Sequence, residues 1–325
     1  MMGKTLSVVI PTYNMEAYLP RCLNSVTRED IPDTLEVIVV NDGSKDRSLE
    51  IAKEYQAKRP DIISIIDKPN GHYGSCINAA LKVATGKYFR PLDADDWFDT
   101  DELVRLLKQI ETTDADLLIS AYRCYRKTRN IDYKAQNVDF NKVYSINEHN
   151  VLNKQDKSFF AMHSFTYKQD LLKQVNLKLS ERINYTDTEY VYYPLEQVKT
   201  FTFFDTLLYH YDLTRDNQSM SNAVAARNHS QLAAIIKRMF SNWHAPNVLE
   251  KQVLHTFLVS YYYRMLFLCK DDSELKKIDL LISNNDKELL KYVDKTLAYA
   301  PKVWRLLKVH FLWYERLKKL SNIDR

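Results

Sequence analysis

Short apolar runs alternate with segments of helical periodicity over residues 6–125. The apolar runs predict strands at Leu6–Ile10, Leu35–Val40, Ile62–Ile66, Tyr88–Leu92 and Asp116–Tyr125. The segments between them predict helices at Glu16–Thr27, Asp46–Lys58, Ser75–Thr85 and Asp101–Thr112. Gly86 is predicted to be the C′ residue that closes the third of these helices. Continuous apolar strands that alternate with helices form parallel sheets covered on both faces, so the pattern predicts an α/β domain with a mainly parallel sheet.

The pattern changes after residue 125. Residues 126–222 are less regular and contain a tyrosine-rich helix near Asp187–Gln197 and a strand-like run at Thr200–Tyr211. Residues 223–325 are predicted to be helical, with the clearest apolar periodicity at Gln231–Phe240, Val253–Cys269 and Val303–Leu320. We therefore predict one domain at 1–222, with halves at 1–125 and 126–222, followed by a helical C-terminal region at 223–325.

Composition and charge exclude several classes of protein. A net charge of +4 over 325 residues is too weak to indicate nucleic-acid binding. The cysteines form no C-x-x-C pair, so neither a zinc site nor a disulfide framework is predicted; they are Cys22, Cys76, Cys124 and Cys269. The longest apolar stretch, Phe257–Cys269, is shorter than the roughly 20 apolar residues that cross a bilayer. We expect a cytoplasmic protein that is neither secreted nor transmembrane.

Polar residues follow four of the predicted strands at the point where each strand ends. These segments are Pro11–Asn14, Asn41–Ser44, Pro69–His72 and Asp93–Trp97. Ligands bind at the carboxyl ends of the strands in open parallel sheets, so a site is predicted at this edge. The last segment places three acidic residues in four positions, and carboxylates select hard cations such as Mg²⁺ or Mn²⁺.

Each of these segments also has a purely structural interpretation. Asx-Gly sequences such as Asp42-Gly43 are common in turns, and an acidic pair can cap the helix that follows it. We favour a site because the segments share one sheet edge in the right order. The chain lacks G-x-G-x-x-G after its first strand and has no G-x-x-x-x-G-K-[ST] loop, so neither a dinucleotide-binding domain nor a P-loop is predicted.

This ordered set of segments resembles the family 2 glycosyltransferases of the GT-A fold. The resemblance covers Ser7–Asn14, Val37–Ser44, Asn70–Gly86 and Leu92–Trp97 closely, and continues more loosely to about residue 222. It implies an inverting transferase that uses a nucleotide-diphosphate sugar and a divalent metal, Mn²⁺ or Mg²⁺. The residues that it assigns to the donor are Pro11, Thr12, Tyr13, Asn14, Asp42, Asn70, Gly71, Asp93, Ala94 and Arg215.

The resemblance also implies individual roles. Thr12 and Tyr13 line the pocket for the base and ribose, and Asp42 hydrogen-bonds the base. Asp93 contacts the ribose or the metal, while Asp95 ligates the metal that bridges the diphosphate. A further motif holds the general base that takes the proton of the acceptor hydroxyl.

That base is predicted in Tyr185–Tyr190, where the family's usual Glu before the Asp is replaced by Thr186. Both Asp187 and Glu189 are candidates. Thr186-x-x-Glu189 has the form of a capping box, which would engage Glu189 with a backbone N–H of the cap. Asp187 would then lie in the first turn, ionised by the helix dipole. We therefore predict Asp187 as the base.

Tyr209–Tyr211 and Arg215 with Ser219–Ser221 resemble the family's closing motif. His210 could complete the metal shell and Arg215 could clamp the diphosphate; the alternatives are a histidine of the core and a solvated arginine. Trp97 could stack on a sugar ring or belong to the core. The spacing around His163 does not identify it as a ligand.

Residues 301–319 form a predicted C-terminal helix with two different faces. The basic face carries Lys302, Arg305, Lys308, Arg316 and Lys319. The apolar face carries Val303, Leu306, Leu307, Trp313, Tyr314 and Leu317. Such a helix either lies on an anionic membrane surface or docks on the core with a solvated basic face. The first interpretation would place the protein at the inner face of the plasma membrane.

These observations predict an inverting glycosyltransferase that moves a sugar, from a UDP-sugar, to a saccharide or lipid-linked acceptor. The expected setting is the assembly of a bacterial polysaccharide or cell-surface glycan. One alternative is a nucleotidyltransferase, which usually carries a glycine-rich basic loop where this chain has Pro11–Asn14. Another is a sugar-nucleotide-binding scaffold without catalysis, against which the acidic residues Asp93, Asp95 and Asp187 argue.

Overall fold

A computed structural model describes residues 3–156, 159–214, 224, 227–241, 246–269 and 271–312. The chain divides into two compact units, Met1–Thr214 with Asn247–Leu249 and Arg215–Pro246 with Glu250–Arg325. The boundary predicted at residue 222 lies outside the described residues.

Strands and helices alternate through the first unit. The strands are β1 (Leu6–Thr12), β2 (Leu35–Asn41), β3 (Ile63–Asp67), β4 (Tyr88–Pro91), β5 (Trp97–Phe98), β6 (Leu117–Tyr125), β7 (Asn130–Tyr133), β8 (Val143–Ser145), β9 (Phe165–Lys168) and β10 (Thr200–Asp212). The helices are α1 (Leu19–Asn24), α2 (Ser48–Lys58), α3 (His72–Leu81), α4 (Thr100–Ile110), α5 (His149–Leu152), α6 (Gln169–Gln174) and α7 (Asp187–Tyr192). A 3₁₀ helix, Tyr193–Gln197, follows α7 directly.

The strands form one sheet in the order β3-β2-β1-β4-β9-β6-β10-β5, with β7 beside β6 and β8 beside β10. β1 runs parallel to β2 and β4, β2 to β3, and β6 to β10. β9 pairs antiparallel with both β4 and β6 and so separates the two parallel groups. Val8, Val37 and Val39 are fully buried, as expected for strands that have both faces covered. The sheet confirms the predicted α/β fold class.

The register of the first parallel group positions the site. Thr12, the last residue of β1, pairs with Asn41, the last residue of β2, and Asn41 pairs with Asp67 at the end of β3. The polar segments after these strands therefore begin at the same level of one sheet edge. Asp93–Asp96 follows β4 at that edge, because β4 pairs in parallel with β1.

The prediction for the third helix is wrong at both ends. α3 begins at His72 and ends at Leu81, so Gly86 is not its C′ residue. Gly86 instead approaches β1, where its N–H donates to Ser7 Oγ over 2.8 Å. A Cβ at Gly86 would lie 2.5 Å from the backbone nitrogen of Ser7. The glycine is needed for this close approach rather than for ending a helix.

The second unit is helical in its described residues. Its helices are α8 (His229–Met239), α9 (Val248–Phe267), α10 (Ser273–Asn285), α11 (Lys287–Thr296) and α12 (Ala300–Leu307), of which α9 begins in the first unit. Within the described part of the chain, no helix combines the length and hydrophobicity that crossing a membrane requires.

α12 differs from the continuous helix predicted over Val303–Leu320. It ends at Leu307, and Lys308 adopts a left-handed conformation with φ +56°. Arg305 forms ion pairs with Asp279 and Asp294, at 2.9 and 2.7 Å. Arg305 therefore does not belong to the solvated basic face that the sequence predicted. Residues 313–325, with the remaining predicted members of both faces, lie outside the described residues.

Candidate active site

The loops after β1 and β2 are bound to each other through side chains. Asn14, with φ +53°, accepts a hydrogen bond at Oδ1 from the N–H of Lys45 over 2.8 Å, and its own N–H donates to Ser44 Oγ over 3.1 Å. The Thr12 hydroxyl is buried and donates to the carbonyl of Ile10. Tyr13, in contrast, is 45% exposed. Of the predicted donor residues in this loop, Tyr13 and Asn14 are therefore exposed, while Thr12 is buried.

Asp42 is buried, and three donors from beyond β3 converge on one of its oxygens. Oδ1 lies 2.6 Å from Lys68 Nζ, 2.9 Å from the N–H of Gly71 and 3.5 Å from Ser75 Oγ. Asn70 Nδ2 donates to the Asp42 carbonyl over 3.0 Å. The structure thus brings the predicted residues Asp42, Asn70 and Gly71 together, and adds Lys68, which sequence analysis did not identify.

The loop after β4 carries the predicted metal residues. Asp93 and Asp95 are half-buried, while Ala94 and Asp96 are buried. Asp96 accepts hydrogen bonds from the Tyr209 hydroxyl at 2.7 Å and from the N–H of Asp212 at 2.8 Å. The following helix, α4, is capped by Asp99, which accepts from the N–H groups of Asp101 and Glu102. The capping interpretation of the acidic segment therefore applies to Asp99 and not to Asp93–Asp96.

Among the described residues, one group of three could hold a metal ion: Asp93, Asp96 and His163, with one ligand atom from each within 4.8 Å of the others. Burial and the nearby charge of Asp93 raise the pKa of Asp96 well above its usual value. A cation between Asp93 and Asp96 would offset the repulsion that opposes the ionisation of Asp96. Two carboxylates suit Mg²⁺ or Mn²⁺, and an imidazole ligand is typical of transition metals, so the set can hold a divalent cation.

His163 was missed by sequence analysis, because no sequence motif surrounds it. Its ring stacks on Tyr211 with centroids 4.0 Å apart. Desolvation, together with the nearby Arg90 guanidinium, lowers the pKa of His163 to about 3, so the imidazole is neutral at neutral pH. Nδ1 is buried and has no hydrogen-bond partner in the described part of the chain. A neutral imidazole with an unengaged nitrogen is the form that binds metal.

His210 lies in a different environment from the one predicted. Its Nδ1 is 2.7 Å from the Tyr125 hydroxyl, and its ring stacks on Trp97 with centroids 5.2 Å apart. Burial lowers its pKa. His210 is not a member of the group formed by Asp93, Asp96 and His163. Arg215 and Ser219–Ser221 lie outside the described residues, so the roles predicted for Arg215 and His210 stay predictions.

Asp187 is half-buried at the first position of α7. The capping box predicted beside it is wrong: Thr186 makes no side-chain cap hydrogen bond. The cause is the backbone of Thr186, which is already helical at φ −76° and ψ −11°, whereas a capping residue normally has an extended conformation. Glu189 instead accepts from the N–H of Ser180 at 2.6 Å and from Ser180 Oγ at 2.9 Å, and it is fully buried.

The charges of Asp93 and of the predicted base, Asp187, both affect two tyrosines, Tyr73 and Tyr211. After burial, the charges of Asp93 and Asp187 raise the pKa of Tyr73 further. The same two carboxylates, together with Asp96, act in the same direction on Tyr211. Asp93 and Asp187, which are far apart in the chain, are thus both near enough to Tyr73 and Tyr211 to oppose the ionisation of these tyrosines.

Helix α3 holds the segment that leads to α7. Gly74 is so close to this segment that a Cβ would lie 2.0 Å from the carbonyl oxygen of Ser180. Asn78 donates to the carbonyl of Leu179 over 2.9 Å and accepts from the N–H of the same residue over 2.8 Å. Because Gly71 and Ser75 of the same region contact Asp42, one short stretch links the Asp42 pocket to the approach to Asp187.

Comparison with known proteins agrees with this arrangement. The profile of glycosyl transferase family 2 matches residues 7–175. The uncharacterised glycosyltransferase EpsJ of Bacillus subtilis is 29% identical over 185 residues, which cover 56% of this chain and 53% of EpsJ. The chain thus spans about half the length of that relative.

Solved structures share the fold. TarS 1–349 of Staphylococcus aureus, crystallised with UDP-GlcNAc, is 21% identical with a TM-score of 0.62, over 98% of this chain and 89% of that one. The mannosyltransferase PcManGT of Pyrobaculum calidifontis, in complex with GDP-Man and Mn²⁺, is 16% identical with a TM-score of 0.55, over 99% of this chain and 88% of that one.

The profile match covers half of the chain, and the sheet is the mainly parallel GT-A sheet with its polar loops at one edge. The chain belongs to glycosyl transferase family 2.

Proposed function

We propose that this protein is an inverting glycosyltransferase that moves a sugar from a UDP-sugar to a saccharide or lipid-linked acceptor. The observation that supports the proposal is that one short stretch, residues 71–78, contacts both Asp42 and the segment that leads to Asp187. A carboxylate on the donor side and one on the acceptor side of a single region are what a one-step displacement requires. TarS, a poly(ribitol-phosphate) β-N-acetylglucosaminyltransferase, has been crystallised with UDP-GlcNAc, which favours a UDP-sugar and a polymeric acceptor.

The reaction forms one bond and breaks one. The acceptor oxygen attacks the anomeric carbon, and the bond from that carbon to the diphosphate oxygen breaks. Asp187 takes the proton of the acceptor hydroxyl as the new bond forms, and the nucleotide diphosphate leaves with the electron pair. Attack from the side opposite to the leaving group inverts the anomeric configuration, so one base suffices.

The donor is held at the sheet edge. Asp42, with Lys68 on its Oδ1, is proposed to accept a hydrogen bond from the base, and the exposed Tyr13 to cover the base and ribose. A carboxylate only accepts hydrogen bonds, so the base must present an N–H, as uracil does. Pro11, Asn14, Asn70, Gly71 and Ala94 complete this proposed pocket.

A divalent cation bound here would offset the charge that grows on the departing diphosphate. The ligand set predicted from the sequence is Asp93, Asp95 and His210, and the geometry favours Asp93, Asp96 and His163. Asp93 belongs to both sets. The Mn²⁺ affinities of Asp95→Ala and His163→Ala, followed by the EPR signal of free Mn²⁺, separate the two sets, because the variant that lacks a true ligand should bind Mn²⁺ more weakly than the other.

The proposed activity is tested by a donor screen. Release of nucleotide diphosphate is followed with UDP-, GDP- and dTDP-sugars in the presence of Mn²⁺ and candidate acceptors, and product stereochemistry is determined by NMR. We expect UDP-sugars to be used with inversion. Tight UDP-sugar binding without turnover of any acceptor would instead support a non-catalytic scaffold, and release of pyrophosphate from UTP and a sugar phosphate would support a nucleotidyltransferase.

We further propose that residues 301–319 bring the protein to an anionic membrane surface at the inner face of the plasma membrane. In α12, Leu306 and Leu307 are 74% and 67% exposed, and the neighbouring Lys302 and Lys308 are also exposed. Exposed leucines flanked by lysines suit an interfacial helix. Co-sedimentation with phosphatidylglycerol vesicles should fall in Leu306→Ser/Leu307→Ser, and unchanged co-sedimentation would contradict the proposal. Leu280→Ser, at a residue that is 62% exposed on α10, is the control.

A further inference from the structure

The Asp93–Asp96 loop is fixed by a distant strand. The N–H of Asp93 donates to the Tyr209 hydroxyl over 3.2 Å, and that hydroxyl donates to Asp96 Oδ2 over 2.7 Å. Asp96 Oδ1 accepts from the N–H of Asp212 over 2.8 Å. Both ends of the loop are thus attached to β10, which contributes Tyr209 and Asp212.

The middle of the loop is held by Arg21 of α1. Arg21 Nη2 donates to the carbonyl oxygen of Asp95 over 2.6 Å and to Asp212 Oδ2 over 3.1 Å. Its guanidinium carbon lies 3.8 Å from the ring centroid of Trp97. One side chain therefore joins the middle of the loop, the strand that holds both ends of the loop, and the residue that follows the loop.

These contacts also stabilise the positive charge of Arg21. The guanidinium pairs with Asp212 and lies over an aromatic face, both of which stabilise a cation. Hydrogen bonds from Thr214 and Arg21 outweigh the effect of burial on Asp212 and lower the pKa of its carboxyl group. Arg21 therefore restrains the loop through the backbone carbonyl of Asp95, while its positive charge is paired with the carboxylate of Asp212.

We propose that Arg21 is a positioning residue for the divalent cation. It holds the Asp95 peptide so that the carboxylates of the loop converge in the absence of the ion, and it does so whichever of the two ligand sets binds. The proposal rests on the metal dependence in the proposed function. An arginine is required because its planar guanidinium can stack on the indole ring of Trp97 while Nη2 donates to the carbonyl and to the carboxylate, and a lysine ammonium cannot stack in this way.

The test measures Mn²⁺ binding to the full chain, without nucleotide and with UDP, by the EPR signal of free Mn²⁺. Arg21→Gln should weaken Mn²⁺ binding by about 10–100-fold, the usual effect of removing a residue that orients metal ligands. Arg21→Lys should restore little of this loss. Turnover at saturating Mn²⁺ should stay near that of the unmodified protein, because the ligands themselves remain.

Arg28→Gln is the matched control. The Arg28 side chain is 44% exposed and pairs with Asp30 and Asp101, while that of Arg21 is 41% exposed and pairs with Asp212. The control should lose an equivalent surface ion pair with no change in Mn²⁺ affinity. Asp212→Asn, which keeps the N–H to Asp96 but removes the charged partner of Arg21, should weaken Mn²⁺ binding in the same direction and by less.

The outcomes separate this proposal from the proposed function. Unchanged Mn²⁺ affinity in folded Arg21→Gln, or an equal loss in Arg28→Gln, would overturn the role of Arg21 alone. An unmodified protein that binds neither Mn²⁺ nor Mg²⁺ would overturn both this role and the metal dependence. If Arg21→Gln does not fold, Arg21→Lys and Asp212→Asn decide the question by the same measurement.

Discussion

Asp42 and Asp96 are both buried carboxylates at the same sheet edge, but they differ in the charges of the groups that contact them. Asp42 has the Lys68 ammonium 2.6 Å from Oδ1, with the N–H of Gly71 beside it. Asp96 has a tyrosine hydroxyl and a backbone N–H, both neutral donors, and Asp93 nearby raises its pKa. A buried charge is stable when it is paired, so the Asp42 region is complete in the protein alone, whereas the Asp93–Asp96 region is suited to a cation from outside.

This difference predicts that the two regions respond differently to removal of metal. Chelation with EDTA should abolish turnover, because the Asp93–Asp96 region would lose the cation that offsets the diphosphate charge. Uridine, which has no diphosphate, should bind with unchanged affinity in EDTA, since Lys68 and Asp42 need no ion. Calorimetric titration with uridine and with UDP, each with and without EDTA, measures the two affinities. Uridine binding that disappears with EDTA would mean that the two regions are not independent.

Substitution of the proposed base, Asp187, and of Asp42 should separate chemistry from binding. Asp187→Asn should lower kcat by roughly 10²–10⁴-fold with UDP binding retained, since a positioned base contributes about that factor. Asp42→Asn should instead weaken UDP binding and leave kcat at saturating donor nearly unchanged. Steady-state kinetics with a UDP titration distinguishes the two.

Glu189→Gln is the control for the base. Glu189 is fully buried and accepts from Ser180, so its replacement should mainly cost stability, about 1–3 kcal/mol for a disturbed buried acceptor. A Glu189→Gln protein that is folded but inactive, beside an active Asp187→Asn protein, would reverse the assignment.

The contact between α3 and Ser180 links the Asp42 region to the segment before Asp187, and Gly74→Ala should disturb it. The added Cβ would lie 2.0 Å from a backbone carbonyl oxygen, so the backbone must move. We expect a loss of about 1–3 kcal/mol, the usual cost of overpacking, measured by urea unfolding. Gly3→Ala, where nothing lies within 4 Å of the new Cβ, should be neutral. Equal stability of the two variants would show that α3 and the segment before α7 are not in firm contact.

The same two regions show how far sequence analysis reaches. The Asp42 region is built from consecutive strand ends, so local signals predicted Asp42, Asn70 and Gly71 together. Lys68 could have been found as well: Asn41 pairs with Asp67, which places the next residue of each strand end, Asp42 and Lys68, side by side. The pairing of β2 with β3 is the kind of neighbour relation that an alternating α/β pattern already implies.

The Asp93 region could be predicted only in part. Its acidic segment is local, but four residues reach it from a strand, a helix and a loop that are far away in the chain: Tyr209, Asp212, Arg21 and His163. Their arrival depends on the antiparallel insertion of β9 and on the parallel pairing of β10 with β6, which no short motif records. The start of α3 was predicted wrongly for a different reason: the helix begins at His72, whose φ of +66° is uncommon for a residue other than glycine.

The smallest expected effect concerns Thr186. For its replacement by valine, the capping box predicted from the sequence and the observed geometry predict opposite changes in the free energy of unfolding. Thr186 is fully buried, and Oγ1 has no hydrogen-bond partner within the described ranges of the chain. An unpaired buried hydroxyl costs stability, so Thr186→Val, which keeps the branched shape, should raise the free energy of unfolding by up to about 1 kcal/mol. A capping threonine would instead lose about 1 kcal/mol when its oxygen is removed. Asp99→Ala provides the comparison, because Asp99 accepts from the N–H groups of Asp101 and Glu102 at 3.0 and 3.1 Å and is a true cap of α4. Urea unfolding of both variants should move their midpoints in opposite directions. A decrease in both would restore the capping role of Thr186.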